Sequence, residues 1–155
     1  MTAIPPEEIT DLAAGYIRYA EELAQDLSPD SPDITAAERA YDLVEKTVRN
    51  GPAERAWGLV VEILRQAPDE RLDVYAAGLL EDLVKFRAPE VIEAIEREAA
   101  ADERFRWALG CIWLLVGEVP QELQERIVRA SGGQVRPFDA GPLAAALVRL
   151  PPNDR

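Results

Sequence analysis

The sequence predicts an all-α fold, with seven or eight helices arranged as an irregular stack of antiparallel helix pairs or as a compact multi-helix bundle. Three observations predict it. Apolar residues recur at the spacing of one helix face through most of the chain. The 12 prolines and 9 glycines largely punctuate those stretches. No segment alternates apolar and polar residues for long enough to read as a strand.

The elements follow in order. In the first helix Ile9, Leu12, Ala13, Tyr16, Ile17, Ala20, Leu23, Ala24 and Leu27 form one stripe of about five turns. It begins beside Pro5 and Pro6, and Glu7, Glu8 and Asp11 sit where the helix dipole favours negative charge. The turn cluster at 28–33 stops it. Thr35 and Glu38 read as a capping box opening a second helix, with Ala37, Tyr41, Val44 and Val48 on one face. Asn50, Gly51 and Pro52 end that helix and start a third, which carries Ala56, Trp57, Val60, Ile63, Leu64 and Ala67. After Pro68 a fourth helix presents Leu72, Tyr75, Ala76, Leu79, Leu80 and Leu83, and Ala88 with Pro89 separates it from a fifth carrying Ile92, Ile95 and Ala99. Asp102 can cap a sixth helix, apolar all round: Phe105, Leu109, Ile112 and Val116 on one side, Trp107, Cys111 and Leu114 on the other. Such a helix is expected in the middle of a domain. A seventh follows Pro120 with Leu123, Ile127 and Val128 inward, and a short apolar helix is expected near 143–150.

Residues 1–150 are therefore expected to form one helical domain, with 151–155 a short tail. Three helices share a local pattern around Gly58, Gly78 and Gly110. A mid-helix glycine costs about 0.8–1 kcal/mol against alanine, so close approach of helix backbones is the simplest reason for them. Their spacings of 20 and 32 residues are unequal, so the stack is only loosely HEAT-like.

Composition bounds the chemistry. The formal charge is −12, distributed as −7 over residues 1–50, −5 over 51–100 and zero beyond. Such an excess repels phosphate backbones and anionic lipid, so neither nucleic acid nor membrane is expected as a partner. It favours rapid encounter with a basic protein. With no histidine and one cysteine, Cys111, the usual catalytic triads, His/Cys zinc sites and internal disulfides are excluded. A lone cysteine and the lack of a signal-like N-terminus suit the cytoplasm. The uncharged run from Trp107 to Gly117, eleven residues, is too short to span a bilayer.

The stretch 76–113 resembles a bacterial family of unknown function. Its shared segment reads Ala-Ala-Gly-Pro-Leu-Glu-Asp-Leu-Leu, then Ile-x-x-x-Glu-x-x-Ala, Asp-Pro-x-Phe-Arg and Leu-x-x-x-Trp. The matching residues are Ala76, Ala77, Gly78, Leu80, Glu81, Asp82 and Leu83, then Ile92, Glu96 and Ala99, then Asp102, Phe105, Arg106, Leu109 and Trp113. Leu79 and Glu103 stand where the family often has proline, and Leu79 makes the fourth helix more continuous. The resemblance implies a helical fold and bacterial origin; it carries no activity.

Candidate sites are few. Glu81 and Asp82 are the one acidic pair set in a dense apolar frame, able to meet a basic partner or to act as carboxylates in acid–base chemistry. The structural alternative pairs Asp82 with Arg104 or Arg106 and leaves Glu81 solvated. Trp107, Cys111 and Leu114 form an apolar strip that is either core or an interface. Cys111, in an apolar run without an activating histidine, reads as an inert thiol. Carboxylates at Glu62, Glu81 and Asp82 are the remaining set for magnesium, with no specific spacing behind it. No catalytic, cofactor or metal-binding residue is assigned; the candidates for partner binding are Glu81, Asp82, Trp107 and Leu114. The expected function is a non-enzymatic acidic protein-binding module, in concrete form a toxin-neutralising immunity protein. The competing expectations are a carboxylate-dependent enzyme using Glu81 and Asp82, and a self-associating structural protein.

Overall fold

A computed structural model describes residues 5–25 and 32–139. Within them six helices pack in a compact bundle: α1 Pro6–Ala24, α2 Pro32–Asn50, α3 Ala53–Gln66, α4 over 72–101, α5 Glu103–Gly110 and α6 Gln121–Ala130. The expected helix near 143–150 lies outside the described residues.

Proline sets several starts. Pro6 opens α1, with Glu7 and Glu8 in its first turn. Pro32 opens α2, so Thr35 and Glu38 lie inside the helix and form no capping box at its start. Pro52 and Pro120 precede α3 and α6. Asp102 caps α5 as its sequence suggests, accepting the Arg104 backbone N–H at 2.8 Å.

The expected break at Ala88 and Pro89 does not occur. α4 runs on through Pro89, so two expected helices are one. An interior proline costs about 3 kcal/mol. Here Ala88, Val91, Ile92 and Ile95 are all buried around it, and that packing outweighs the lost hydrogen bond. α4 is also not uniform: between its first turn, Leu72–Tyr75, and its long second part, Glu81–Ala101, the residues Ala76–Leu80 form a π-turn. Continuity at Leu79 thus comes with a widened turn, where a plain α-helix was expected.

α4 is the middle of the bundle, touching α2, α3, α5 and α6, while α1, α2 and α3 pack on one another. Its buried Leu79, Leu80, Leu83 and Ile95 join Leu59 and Ile63 of α3, Val44 and Val48 of α2, Leu109 of α5 and Ile127 of α6 in one core. The expected central sixth helix is instead short. It ends at Gly110, and the chain continues extended, with Ile112 and Leu114 inward and Trp113 outward. Val116, expected on the inner stripe, is exposed for the same reason. This segment meets Phe138: the Phe138 N–H donates to Leu114 O at 3.1 Å and the Val116 N–H to Phe138 O at 3.0 Å. Only isolated bridges of this kind, and no strand, occur among the described residues.

The three mid-helix glycines do not share one role. A Cβ on Gly58 would meet the Ile9 Cδ1 at 3.3 Å, and one on Gly110 would meet Gln134 Cβ at 2.8 Å, in a loop rather than a helix. Gly78 faces open space within the π-turn. Among the described residues the closest helix–helix approach at a glycine is at Gly15, where a Cβ would lie 2.7 Å from Ala40 Cβ on α2.

Candidate functional site

All four tyrosines gather where α1, α2 and the start of α4 converge. Tyr16 of α1 lies flat on Tyr41 of α2, ring centroids 4.6 Å apart and planes 6° from parallel. Tyr75 of α4 tilts against Tyr16 at 6.3 Å, and Tyr19 against Tyr41 at 5.1 Å. Between these helices runs a groove of about 400 Å³, walled by Tyr16, Tyr41 and Tyr75, with Ala77 and Gly78 of the π-turn in its lining and the exposed Leu23 and Val74 at its edge. π-turns inside α-helices recur at functional sites. This one presents Gly78 to the groove without a side chain.

Charged groups complete the wall. Tyr41, Glu45 and Arg49 are successive residues at helical spacing on one face of α2. The Tyr16 hydroxyl donates to Glu45 Oε1 at 3.2 Å. Arg49 Nη2 lies 3.2 Å from Asp82 Oδ2 and 3.7 Å from Glu45 Oε2, and its guanidinium stands 5.7 Å from the Phe86 ring centroid. At the other end the Tyr75 hydroxyl and Arg71 Nε both donate to Glu21 Oε1, each at 2.7 Å. Burial, and then the nearby Glu45 charge, hold the Tyr16 phenol far above the ordinary phenol range. Burial and the hydrogen bond to Glu21 do the same for Tyr75. Both are fixed as neutral donors. Burial pushes the Glu45 carboxyl up from its ordinary value, against the opposing hydrogen bond from Tyr16.

Of the sequence candidates, Asp82 lines this groove and Glu81 does not. Asp82 pairs with Arg49, neither with Arg104 nor with Arg106. Arg104 is instead taken by the end of α3: it donates to Leu64 O, to Ala67 O at 2.7 Å and to Asp69 at 3.0 Å. Arg106 donates to Ala99 O at 3.3 Å. Glu81 is not simply solvated; it accepts the Trp113 backbone N–H at 2.8 Å, and burial raises its pKa. Adjacent on a helix, the two carboxylates are committed to different neighbours.

Trp107 and Leu114 part company too. Trp107 is 52% exposed on α5, whereas Leu114 is 1% exposed and belongs to the core, because the helix that would have carried both outward stops at Gly110. Leu114 therefore offers no surface to a partner. Cys111 is partly buried, its thiol directed to Trp107 O at 3.5 Å and its pKa raised by burial. Glu62 is engaged by Arg65 and Gln66 on its own helix. Among the described residues no three His, Cys, Asp or Glu side chains gather as metal ligands, and no helix is long and apolar enough to cross a membrane.

The tyrosines read from sequence as core positions, and Tyr16 and Tyr75 are buried in the core with Tyr41 packed against it; that they also line a groove with Glu45 and Arg49 is not marked by their spacing. A signal was present: all four tyrosines of the chain fall before residue 76.

Fold and groove together define an acidic all-helical bundle with an open tyrosine–carboxylate cleft. By sequence the chain belongs to a family of unknown function (DUF6869), matched over residues 28–135. That segment contains α2 and α4, and with them Tyr41, Glu45, Arg49, Tyr75, Gly78 and Asp82; α1 and its Tyr16 precede it. Comparison with curated proteins and with solved structures gave no match in either.

Proposed function

We propose that this chain is a non-enzymatic binding module whose groove face docks a basic protein. One observation carries the reading: the partly buried Tyr41, backed by the buried Tyr16 and Tyr75, shares a single opening with the Glu45 and Asp82 carboxylates and the exposed Leu23 and Val74. Rigid aromatic side chains ringed by polar groups are the usual composition of protein-recognition surfaces. The net charge of −12, carried by the first hundred residues, steers a basic partner toward them. In its finer form the proposal is a toxin-neutralising immunity protein of bacterial origin, small, helical and acidic, acting on a basic toxin in the reducing cytoplasm.

Catalysis by Glu81 and Asp82 is the weaker reading. A carboxylate pair doing acid–base work needs both groups at one cleft. Asp82 is ion-paired at the groove and Glu81 is occupied by a backbone N–H of another segment.

Gel filtration of the full chain with the protein products of its neighbouring genes tests the proposal. Co-elution with a basic neighbour that weakens as salt is raised, and is lost in Tyr41→Ala, is the expected result. No complex with any neighbour at any ionic strength overturns it.

A further inference from the structure

We infer that the groove receives one cationic side chain, an arginine or lysine of the docked partner, and that Arg49 occupies its place in the free protein. The inference deepens the binding-module reading and rests on it.

It starts from Glu45. This carboxylate is partly withdrawn from water, yet it has one neutral donor, the Tyr16 hydroxyl at 3.2 Å, and a guanidinium at 3.7 Å, beyond hydrogen-bond reach. A carboxylate held this way is under-compensated, which is why burial dominates its raised pKa. Arg49 stands between the two acids: it donates to Asp82 at 3.2 Å, lies 3.7 Å from Glu45, and its side chain is 52% exposed. Exposed pairs of this sort contribute about 0–1 kcal/mol, so displacing Arg49 toward solvent and the Phe86 ring costs little.

Arg71, the other cation of the groove, differs. It is held at 2.7 Å by Glu21, which also takes the Tyr75 hydroxyl, so among the described residues lining the groove no acid is free at that end. Among the described residues the under-compensated carboxylate of the groove is therefore Glu45, beside an Asp82 held by the exposed Arg49. A guest guanidinium or ammonium there would meet the Glu45 and Asp82 carboxylates beside the partly buried Tyr41 ring, forming charge-assisted hydrogen bonds. The groove's ~400 Å³ suits a side chain and its backbone, not a folded element. Gly78 leaves the wall open where a Cβ would stand, with nothing within 4 Å.

The probe is acetyl-Gly-Arg-Gly-amide, with lysine and alanine counterparts, titrated into the full chain and followed by NMR at the Gly78 amide and the tyrosine rings. Saturable shifts confined to the groove are expected with arginine and lysine and not with alanine. Arg49→Ala should bind about two- to fivefold tighter, the equivalent of the displaced exposed pair. Arg65→Ala removes an equal charge from the exposed pair with Glu62 on α3 and should leave the affinity unchanged. Glu45→Gln, which can still accept from Tyr16, should weaken binding. Equal effects of Arg49→Ala and Arg65→Ala, or shifts scattered over the acidic surface, overturn the inference. If the tripeptides leave the groove unmoved while a basic neighbour still co-elutes with the chain, the cation site is wrong and the binding-module reading stands. Groove binding by the tripeptides without any protein partner would support the site and count against protein docking.

Discussion

The Glu81 carboxylate accepts the Trp113 backbone N–H at 2.8 Å, joining α4 to a loop 32 residues further on. One turn along, Lys85 pairs with Glu118 at 2.7 Å, so the same loop is fastened twice. Glu81→Ala should lower stability by about 1 kcal/mol and speed hydrogen exchange at the Trp113 amide, whereas Glu81→Gln, which keeps an acceptor, should retain most of the protection. Unchanged exchange at Trp113 in the alanine variant would show that the loop is held by its packing.

Two sets of carboxylates should pull stability in opposite directions with pH. Burial raises the folded-state pKa of Glu45 and Glu81, so the native state binds more protons than the unfolded chain in the window above their ordinary value of 4.5, and stability falls as pH rises through it. Glu45→Gln is accordingly expected to have a higher urea midpoint than the parent at pH 7, an advantage that disappears below pH 4.5.

Glu96 behaves in the other sense. The bidentate hydrogen bonds from Arg126, at 2.8 and 2.6 Å, hold its carboxyl below the ordinary range. Its contribution is present above 4.5 and is lost as pH falls through the lowered value. Arg126→Met should be less stable than the parent at neutral pH and should converge with it in acid, measured by urea unfolding across the same series.

Arg104 closes the end of α3 through Leu64 O and Ala67 O while reaching Asp69. Replacing it with methionine leaves those carbonyls without their donor, and a loss of about 2–3 kcal/mol in unfolding free energy is expected. A change below about 0.5 kcal/mol, the range of ordinary surface substitutions, would mean that water replaces the guanidinium fully.

Two glycine substitutions should diverge. Gly15→Ala forces a Cβ to within 2.7 Å of Ala40 Cβ, an atom that moves only with its helix, and should cost about 1–3 kcal/mol. Gly78→Ala meets nothing and gains helix propensity, so it should be neutral or stabilising by up to about 1 kcal/mol while its methyl narrows the groove and weakens binding of the arginine tripeptide. Thermal unfolding and the NMR titration separate the two effects.

The helical class and most element positions were legible because the Leu, Ile, Val and Ala stripes mark the faces that pack, and Asp102 announced the start of α5. The continuity of α4 through Pro89 was not legible, since it depends on Val91, Ile92 and Ile95 finding partners on other helices. The end of α5 at Gly110 was hidden by a run of apolar residues that fits both a buried helix and an extended segment. As for the groove, Asp82 stood out by its apolar frame. Tyr16, Tyr41 and Tyr75 lie on three different helices, and one helix's periodicity does not reveal which face another will cover.

The π-turn at Ala76–Leu80 also bears on how the chain can change in length. A turn wider than the 3.6 residues of an α-helix holds one residue to spare, and closing it by a single deletion leaves the flanking stretches in their original rotational phase. Elsewhere in the long helix the same loss would rotate the two sides of the deletion by roughly 100° against one another, so that beyond Asp82 it would turn Ile92 and Ile95 out of the core. Deletion variants of this helix should thus be tolerated at one address, yielding a folded bundle whose cleft has lost its recess.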